Sequence, residues 1–242
     1  MPTPTPQQQP DGLNFDPHVS VDCVVLGYDG EALQVLLTTQ GAEAPWARYS
    51  NVKLPGRLLH VDEDLDEAAE SITAQLTGLR NPYIRQFRAF GSPDRTANPR
   101  DVLWLENAVK QKIGRIVTVA YLSLIRITGR TRGQFAGHDV AWYKVAELPE
   151  LAFDHNRIIA EALRDVQRRA AVNPQLLFEM LPPKFTALQL RRLHEQISGR
   201  PIDVRNFSKM ILAKPYIVPL DEWEQGVSHR AARYYKFVKP KQ

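Results

Sequence analysis

The sequence predicts an α+β chain in two parts: a mixed sheet sandwiched by helices, then a small basic module of two helices and a hairpin. Three observations carry this. Five stretches between residues 19 and 145 read as strands, with one sharply punctuated helix among them. A long amphipathic helix follows at about 154–171. Residues 184–242 then hold 12 Lys/Arg against 5 Asp/Glu, whereas the rest of the chain holds 19 against 22. A basic terminal module on a mildly acidic body points to a polyanionic partner.

Taken in order, residues 1–17 are rich in Pro and Gln and are expected to be a disordered tail. Residues 19–28 (VSVDCVVLGY) read as a largely buried strand, Asp29-Gly30 as a hairpin turn and 32–39 as the returning strand. Residues 40–51 read as a loop whose Trp46 and Tyr49 cover a sheet edge or line a pocket. Residues 65–76 form the helix, opened by the acidic run Asp62-Glu63-Asp64 and closed by Gly78. A strand at 83–90, a turn at 91–95 (GSPDR) and an inserted helix at 101–112 follow. The stretch 115–127 is a strong strand with imperfect alternation, which suits cover on both faces. A Gly/Arg loop at 128–138 leads to a last strand at 140–145.

Residues 151–155 (LAFDH) open the long helix, with Asp154 at its N-cap position. Ile158, Ile159, Ala162, Leu163 and Val166 form its apolar stripe, and Arg157, Arg164, Arg168 and Arg169 lie mostly outside it. Asn173-Pro174 ends it, and a short helix at 174–180 precedes Pro182-Pro183. The chain therefore divides into a tail (1–17), a body (18–150), linker helices (151–183) and a C-terminal module (184–242). In that module Thr186 caps a helix with Leu188, Leu190, Leu193 and Ile197 as core candidates, and residues 198–201 (SGRP) break it. Asp203 starts a second helix, 204–213, and strands at 216–220 and 232–238 flank a polar loop. Helix, short turn, helix and hairpin is the pattern of a winged helix-turn-helix. Phe207 and Ile211 suit its core. Arg205, Asn206, Ser208 and Lys209 are of the types that reach base edges in the major groove. His229, Arg230, Arg233 and Lys236 on the wing suit phosphates. The same pattern also occurs in helical caps that bind no DNA.

The 242 residues are 43% hydrophobic and 24% charged, which is ordinary for a soluble globular protein. The single cysteine, Cys23, excludes an internal disulfide framework and a Cys-based zinc site, and fits a reducing, cytoplasmic setting. No apolar run approaches the roughly 18 residues of a membrane helix, and the N-terminus lacks a signal-peptide pattern.

Residues 54–79 (LPGRLLHVDEDLDEAAESITAQLTGL) resemble the Nudix box of pyrophosphate hydrolases: Gly, five residues, Glu, seven residues, then Arg-Glu-apolar-x-Glu-Glu-x-Gly-apolar. That chemistry needs helix-borne carboxylates holding divalent cations that polarise the phosphate and activate water. Counted back from Gly78, Ser71 stands at the arginine and Ile72 at the first glutamate, with Gln75 and Leu76 at the paired glutamates. Apolar side chains ligate no metal, and the spacing from Gly56 to Gly78 is one residue too long. The scaffold is expected to persist without catalysis, and no metal or cofactor is expected. The alternative is a hydrolase using other carboxylates such as Asp62, Glu63, Asp64, Glu67 and Glu70, although acidic first-turn residues also answer to the helix dipole. A third possibility is an interaction protein that binds no DNA and uses both modules as scaffolds.

Several further pieces occur in one order: Val-Asp-Cys-Val, Leu-Pro-Gly, Leu-Thr-Gly-Leu, Phe-Gly-Ser-Pro-Asp-Arg, Val-Thr-Val-Ala-Tyr, Leu-Ala-Phe-Asp-His, Lys-Phe-Thr and Arg-Pro-Ile-Asp-x-Arg-Asn-Phe. Across about 18–238 they resemble the bacterial Nudix-related transcription regulators, which include the NAD-metabolism regulator and the arabinose regulator of Bacteroidetes. The arabinose branch looks nearer, through the degenerate box and the Arg-Asn-Phe helix. The resemblance implies a Nudix-like effector domain, a C-terminal winged helix, a homodimer on palindromic operator DNA, and ADP-ribose or a sugar as effector. An insertion at 101–113 departs from the pattern, where a pocket lid could lie. The effector is expected over the sheet, near Arg57 beside the Pro-Gly turn, Asp94 and Arg95 in the Ser-Pro-Asp-Arg turn, and Tyr121 on the long strand. Arginine grips phosphate bidentately, and an Arg–Asp set can hold sugar hydroxyls unless Asp94 and Arg95 simply pair with each other.

Overall fold

The computed structural model describes residues 15–39, 52–80, 82–99, 101–102, 106, 112–129, 131, 140–228 and 230–240. The fold is built around β1 (Phe15–Tyr28), a strand hydrogen-bonded on both edges. It pairs antiparallel with β2 (Leu33–Thr39) and β4 (Gly56–His60) on one edge, and parallel with β6 (Val117–Arg126) on the other. A short β3 (Val52–Lys53) and β7 (Val140–Lys144) join β2, and β5 (Tyr83–Phe90) joins β6 antiparallel. The result is a seven-stranded mixed sheet.

The period-two rule of strands sorts the core. Val21, Cys23, Val25, Val119, Tyr121 and Ile125 face one side and pack under α1 (Leu65–Thr77) through its Ala68, Ala69 and Ile72. Val24, Leu26, Tyr28, Ala120, Leu122 and Leu124 face the other side, toward α2 (His155–Val172) and its Ile158, Ile159, Ala162 and Val166. Cover on both faces explains why β6 shows no clean alternation in sequence. Helix α1 starts at a full capping box, Asp64 with Glu67, and stops at Gly78, whose φ of 63° is the left-handed C-cap.

The C-terminal module comprises α3 (Ala187–Ser198), α4 (Val204–Leu212), β9 (Ile217–Trp223) and β10 (Arg233–Phe237), with a two-residue β8 (Phe185–Thr186) completing a three-stranded sheet. It is not a separate bead. Leu190, Leu193, Ile197 and Phe207 belong to the same buried cluster as Leu26, Tyr28 and Leu33. The side-chain amide of Gln196 clasps the β1–β2 turn, accepting from the Leu33 N–H and donating to the Glu31 carbonyl at 2.6 Å. The Gln167 amide on α2 donates to the Ile197 carbonyl at 2.7 Å.

Three expectations change, and one alternative falls away. The disordered tail (1–17) is too long, because β1 begins at Phe15, which stacks on His60 with centroids 4.3 Å apart. The boundary at 184 cuts the C-terminal core, because Phe178 in the short 3-10 helix Pro174–Met180 stacks flat on Phe237 at 4.4 Å. Asp154 holds the N-cap position of α2 without making a cap bond, because its carboxylate is taken by Arg95. Asp94 and Arg95 do not pair; Arg95 turns inward and Asp94 outward. The loop at 40–51 and most of the inserted helix at 101–112 lie outside the described residues.

The clasp gives a direct test. Gln196→Ala leaves a backbone donor and an acceptor without their partner, which costs about 1–3 kcal/mol. The Tm should fall by several degrees in a calorimetric scan; an unchanged Tm would mean that the clasp contributes nothing to the joint.

Candidate functional site

Two surfaces collect the chemistry. The first is a small recess where β1, the Pro55-Gly56 turn and the start of α2 meet, lined among others by Asp22, Lys53, Arg57, Arg95, Phe153 and His155. The turn approaches β1 closely. The Cys23 N–H donates to the Pro55 carbonyl at 2.7 Å, and a Cβ at Gly56 would overlap the Asp22 carboxylate and the Val21 carbonyl. Only glycine fits there.

The recess is built on buried charge. Arg95 is 6% exposed. It donates through Nη2 to Asp22 at 2.9 Å and through Nη1 to Asp154 at 2.6 Å. His155 Nδ1 accepts the Leu54 N–H at 3.0 Å, which leaves Nε2 facing Asp22 at 3.6 Å. Burial alone pushes the Asp22 carboxyl up; His155 and Arg95 outweigh it and hold the group well below the usual carboxylate range. Lys53 donates to the Gly56 carbonyl at 2.9 Å, and burial pulls its ammonium down to about 8. Arg57 at the rim grips Glu63 bidentately at 2.6 and 2.5 Å, which lowers the Glu63 pKa.

Of the four residues expected to hold an effector, Arg57 and Arg95 therefore line one recess. Asp94 is exposed on the outer side of the Pro93–Thr96 turn. Tyr121 stands under α1 on the opposite face of the sheet, where its hydroxyl donates to Asp66. Sequence reasoning missed Asp22, Lys53 and His155 as members. The available signal was Asp22, a lone charge inside an apolar strand, since a buried carboxylate demands partners.

On α1 the positions matched to the Nudix box hold apolar and amide side chains. Ile72 is buried against the sheet, and Gln75 donates to Ser71 at 3.1 Å. Among the described residues no group of three His, Cys, Asp or Glu side chains is placed to hold a metal ion.

The second surface is α4. Asp203 caps it, accepting from the Asn206 N–H at 2.8 Å, so the first turn is fixed. Phe207 and Ile211 are buried, while Arg205, Asn206 and Lys209 are exposed together. Ser208 is half-buried and donates to the Val204 carbonyl at 2.9 Å. Val204, which sequence reasoning passed over, is 60% exposed beside them. On the wing Arg230 is exposed in the loop between β9 and β10, and His229 lies outside the described residues. Arg233 is exposed with its guanidinium over the Trp223 ring and its Nε on the Leu220 carbonyl at 2.6 Å. Lys236 is exposed on β10 and also lines the groove that Tyr83 and Glu179 line.

Comparisons with known proteins follow this division. Residues 177–237 match the family profile described as the NrtR DNA-binding winged helix domain. The chain is 24% identical over 226 residues to the ADPR responsive transcriptional repressor NtrR of Acinetobacter baylyi, covering 92% of this chain and 82% of that one. It superposes on Shewanella oneidensis NrtR complexed with a 27mer DNA with a TM-score of 0.69 at 26% identity, covering 91% of this chain and 93% of that one. It superposes on a MutT/nudix family protein of Enterococcus faecalis with a TM-score of 0.63 at 25% identity, covering 93% and 89%. The expected nearness to the arabinose branch finds no support among these relatives.

Lys53 supplies the test of the recess. Its folded pKa lies at about 8 against an ordinary value of 10.5, so at pH 7 the fold holds a cation that burial disfavours. The unfolded chain binds more protons between those two values, so stability from this group rises with pH across that window. Lys53→Met should raise the Tm at pH 7, with the gain shrinking as the pH climbs toward 10; a lower Tm at pH 7 would show that the ammonium stabilises the fold.

Proposed function

We propose, for a chain that is a Nudix-related transcriptional regulator with an NrtR-type winged helix, that it is a ligand-responsive repressor: it holds operator DNA through α4 and loosens it when an ADP-ribose-type metabolite occupies the Nudix-like body. The observation that carries this is the capped α4, with Arg205, Asn206 and Lys209 outward and Phe207 and Ile211 locked inward. Arginine pairs with guanine and asparagine with adenine, each bidentately, and Lys209 lies one turn from Arg205, placed for a phosphate. Arg230 and Arg233 add charge from the wing. The chain acts as a homodimer on a palindromic operator, since two copies of one reading helix need repeated half-sites. The A. baylyi relative responds to ADPR, which favours ADP-ribose over a sugar as the effector. The effector site is the recess, with Arg57 and Arg95 as phosphate grips.

Titration of DNA from upstream of the chain's own gene tests the first half. Arg205→Ala should cost about 1–3 kcal/mol on the operator and relax one base pair per half-site, whereas Arg233→Ala should weaken all DNA and lower the salt slope by about one. Equal weakening of operator and random DNA by Arg205→Ala would remove α4 from the groove.

The body does no hydrolysis in this reading, because Ile72 and Leu76 offer no ligand to a cation. ADP-ribose incubated with Mg²⁺ or Mn²⁺ should stay intact. Metal-dependent turnover that disappears in Glu70→Ala would return the chain to the hydrolases.

A further inference from the structure

Four consecutive residues in front of and at the start of α2 are each tied to a different segment of the chain beside the recess. The Ala152 N–H donates to the Val52 carbonyl at 3.0 Å. The Phe153 N–H donates to the buried Asp101 carboxylate at 2.9 Å. Asp154 accepts from Arg95, and His155 accepts from Leu54. Phe153 has a φ of 57°, the one positive value among the described non-glycine residues, a conformation that side chains rarely adopt.

The caps of the four α-helices defined among the described residues sharpen the point. Asp64, Thr186 and Asp203 each use their side chain to accept a backbone N–H of the helix they start. Asp154 holds the same position on α2 and makes no such bond. One carboxylate oxygen is spent on Arg95, and the other, Oδ2, is buried with no hydrogen-bond partner. A cap residue diverted from its helix, with an orphaned oxygen, is an under-satisfied arrangement of the kind that marks switches.

We propose that Asp154 is the residue that couples the recess to the reading helix, by moving between two partners. With the recess empty, its carboxylate pairs with Arg95. When a phosphate of the ligand takes the Arg95 guanidinium, Asp154 turns to cap α2, accepting from the amide of Asn156 or Arg157, which the helix itself leaves unsatisfied. The helix dipole favours the anion there. The start of α2 then re-seats, and α2 carries α3 with it through Gln167 on the Ile197 carbonyl and the shared core. This rests on the function proposed above and names the two states that such coupling requires.

The test uses the full chain, ADP-ribose as the probe, and the Asp154→Asn variant. Asparagine caps helices well but forms no ion pair with Arg95. In the wild type, saturating ADP-ribose should lower operator affinity by on the order of tenfold. In Asp154→Asn the ligand should still bind by calorimetry, ligand-free operator affinity should already be low, and the ratio with and without ligand should fall to near one. A second readout needs no variant: backbone amide exchange at Asn156 and Arg157 should slow when ADP-ribose is added to the wild type. A variant that keeps the wild-type ratio, or exchange at those amides unmoved by bound ADP-ribose, overturns the proposal. A wild type that binds no ADP-ribose sinks the functional reading first, and this proposal with it.

Discussion

The body is arranged around a guanidinium that is almost fully buried. Arg95 leaves solvent between Asp22 on β1 and Asp154 at the start of α2. An isolated buried charge is intolerable in a low-dielectric interior, and removing one partner of such a set costs about 3–5 kcal/mol. The pairing therefore forces three distant pieces of chain to one point: the first strand, the turn after β5 and the helix that leads out of the sheet. Gly56 is the steric counterpart of this demand, since the Asp22 carboxylate occupies the space a side chain would need. Both arginines of the recess are already paired, Arg57 with Glu63 and Arg95 with Asp22 and Asp154, so an anion entering it has to compete for them.

The second consequence is mechanical. The sheet face bearing Leu26, Tyr28, Leu33 and Leu124 is covered jointly by α2 and by the winged helix, within one buried cluster. Close-packed interiors transmit displacement because they have few voids to absorb it. Gln196 adds direction: its amide mimics a strand partner for the β1–β2 turn, so α3 follows that hairpin. A Nudix-like body and a DNA-reading module joined by a flexible tether could not influence each other this way. Joined by shared core, each bears on the packing of the other.

Much of this was legible in the chain. Strand and helix positions followed from period and punctuation: Gly78 and Thr186 act in the structure as their sequence contexts required. The faces of α4 were equally readable, since Phe207 and Ile211 sit four residues apart on one side. The recess was only half legible. Arg57 and Arg95 were identifiable as arginines beside turns, but Tyr121 lies one residue out of phase with the recess wall, and a period of two sends it to the other face. Asp154 was read from local grammar as a helix cap; its true partner is 59 residues away in sequence, and no local pattern encodes such a pairing.

The sheet and the winged helix share one buried cluster and should therefore unfold as one thermodynamic unit. Differential scanning calorimetry of the full chain, with and without ADP-ribose, measures this directly. The account predicts a single transition with equal calorimetric and van't Hoff enthalpies, moving upward as a whole with ligand concentration. Two transitions, with ligand shifting one and leaving the other in place, would contradict it.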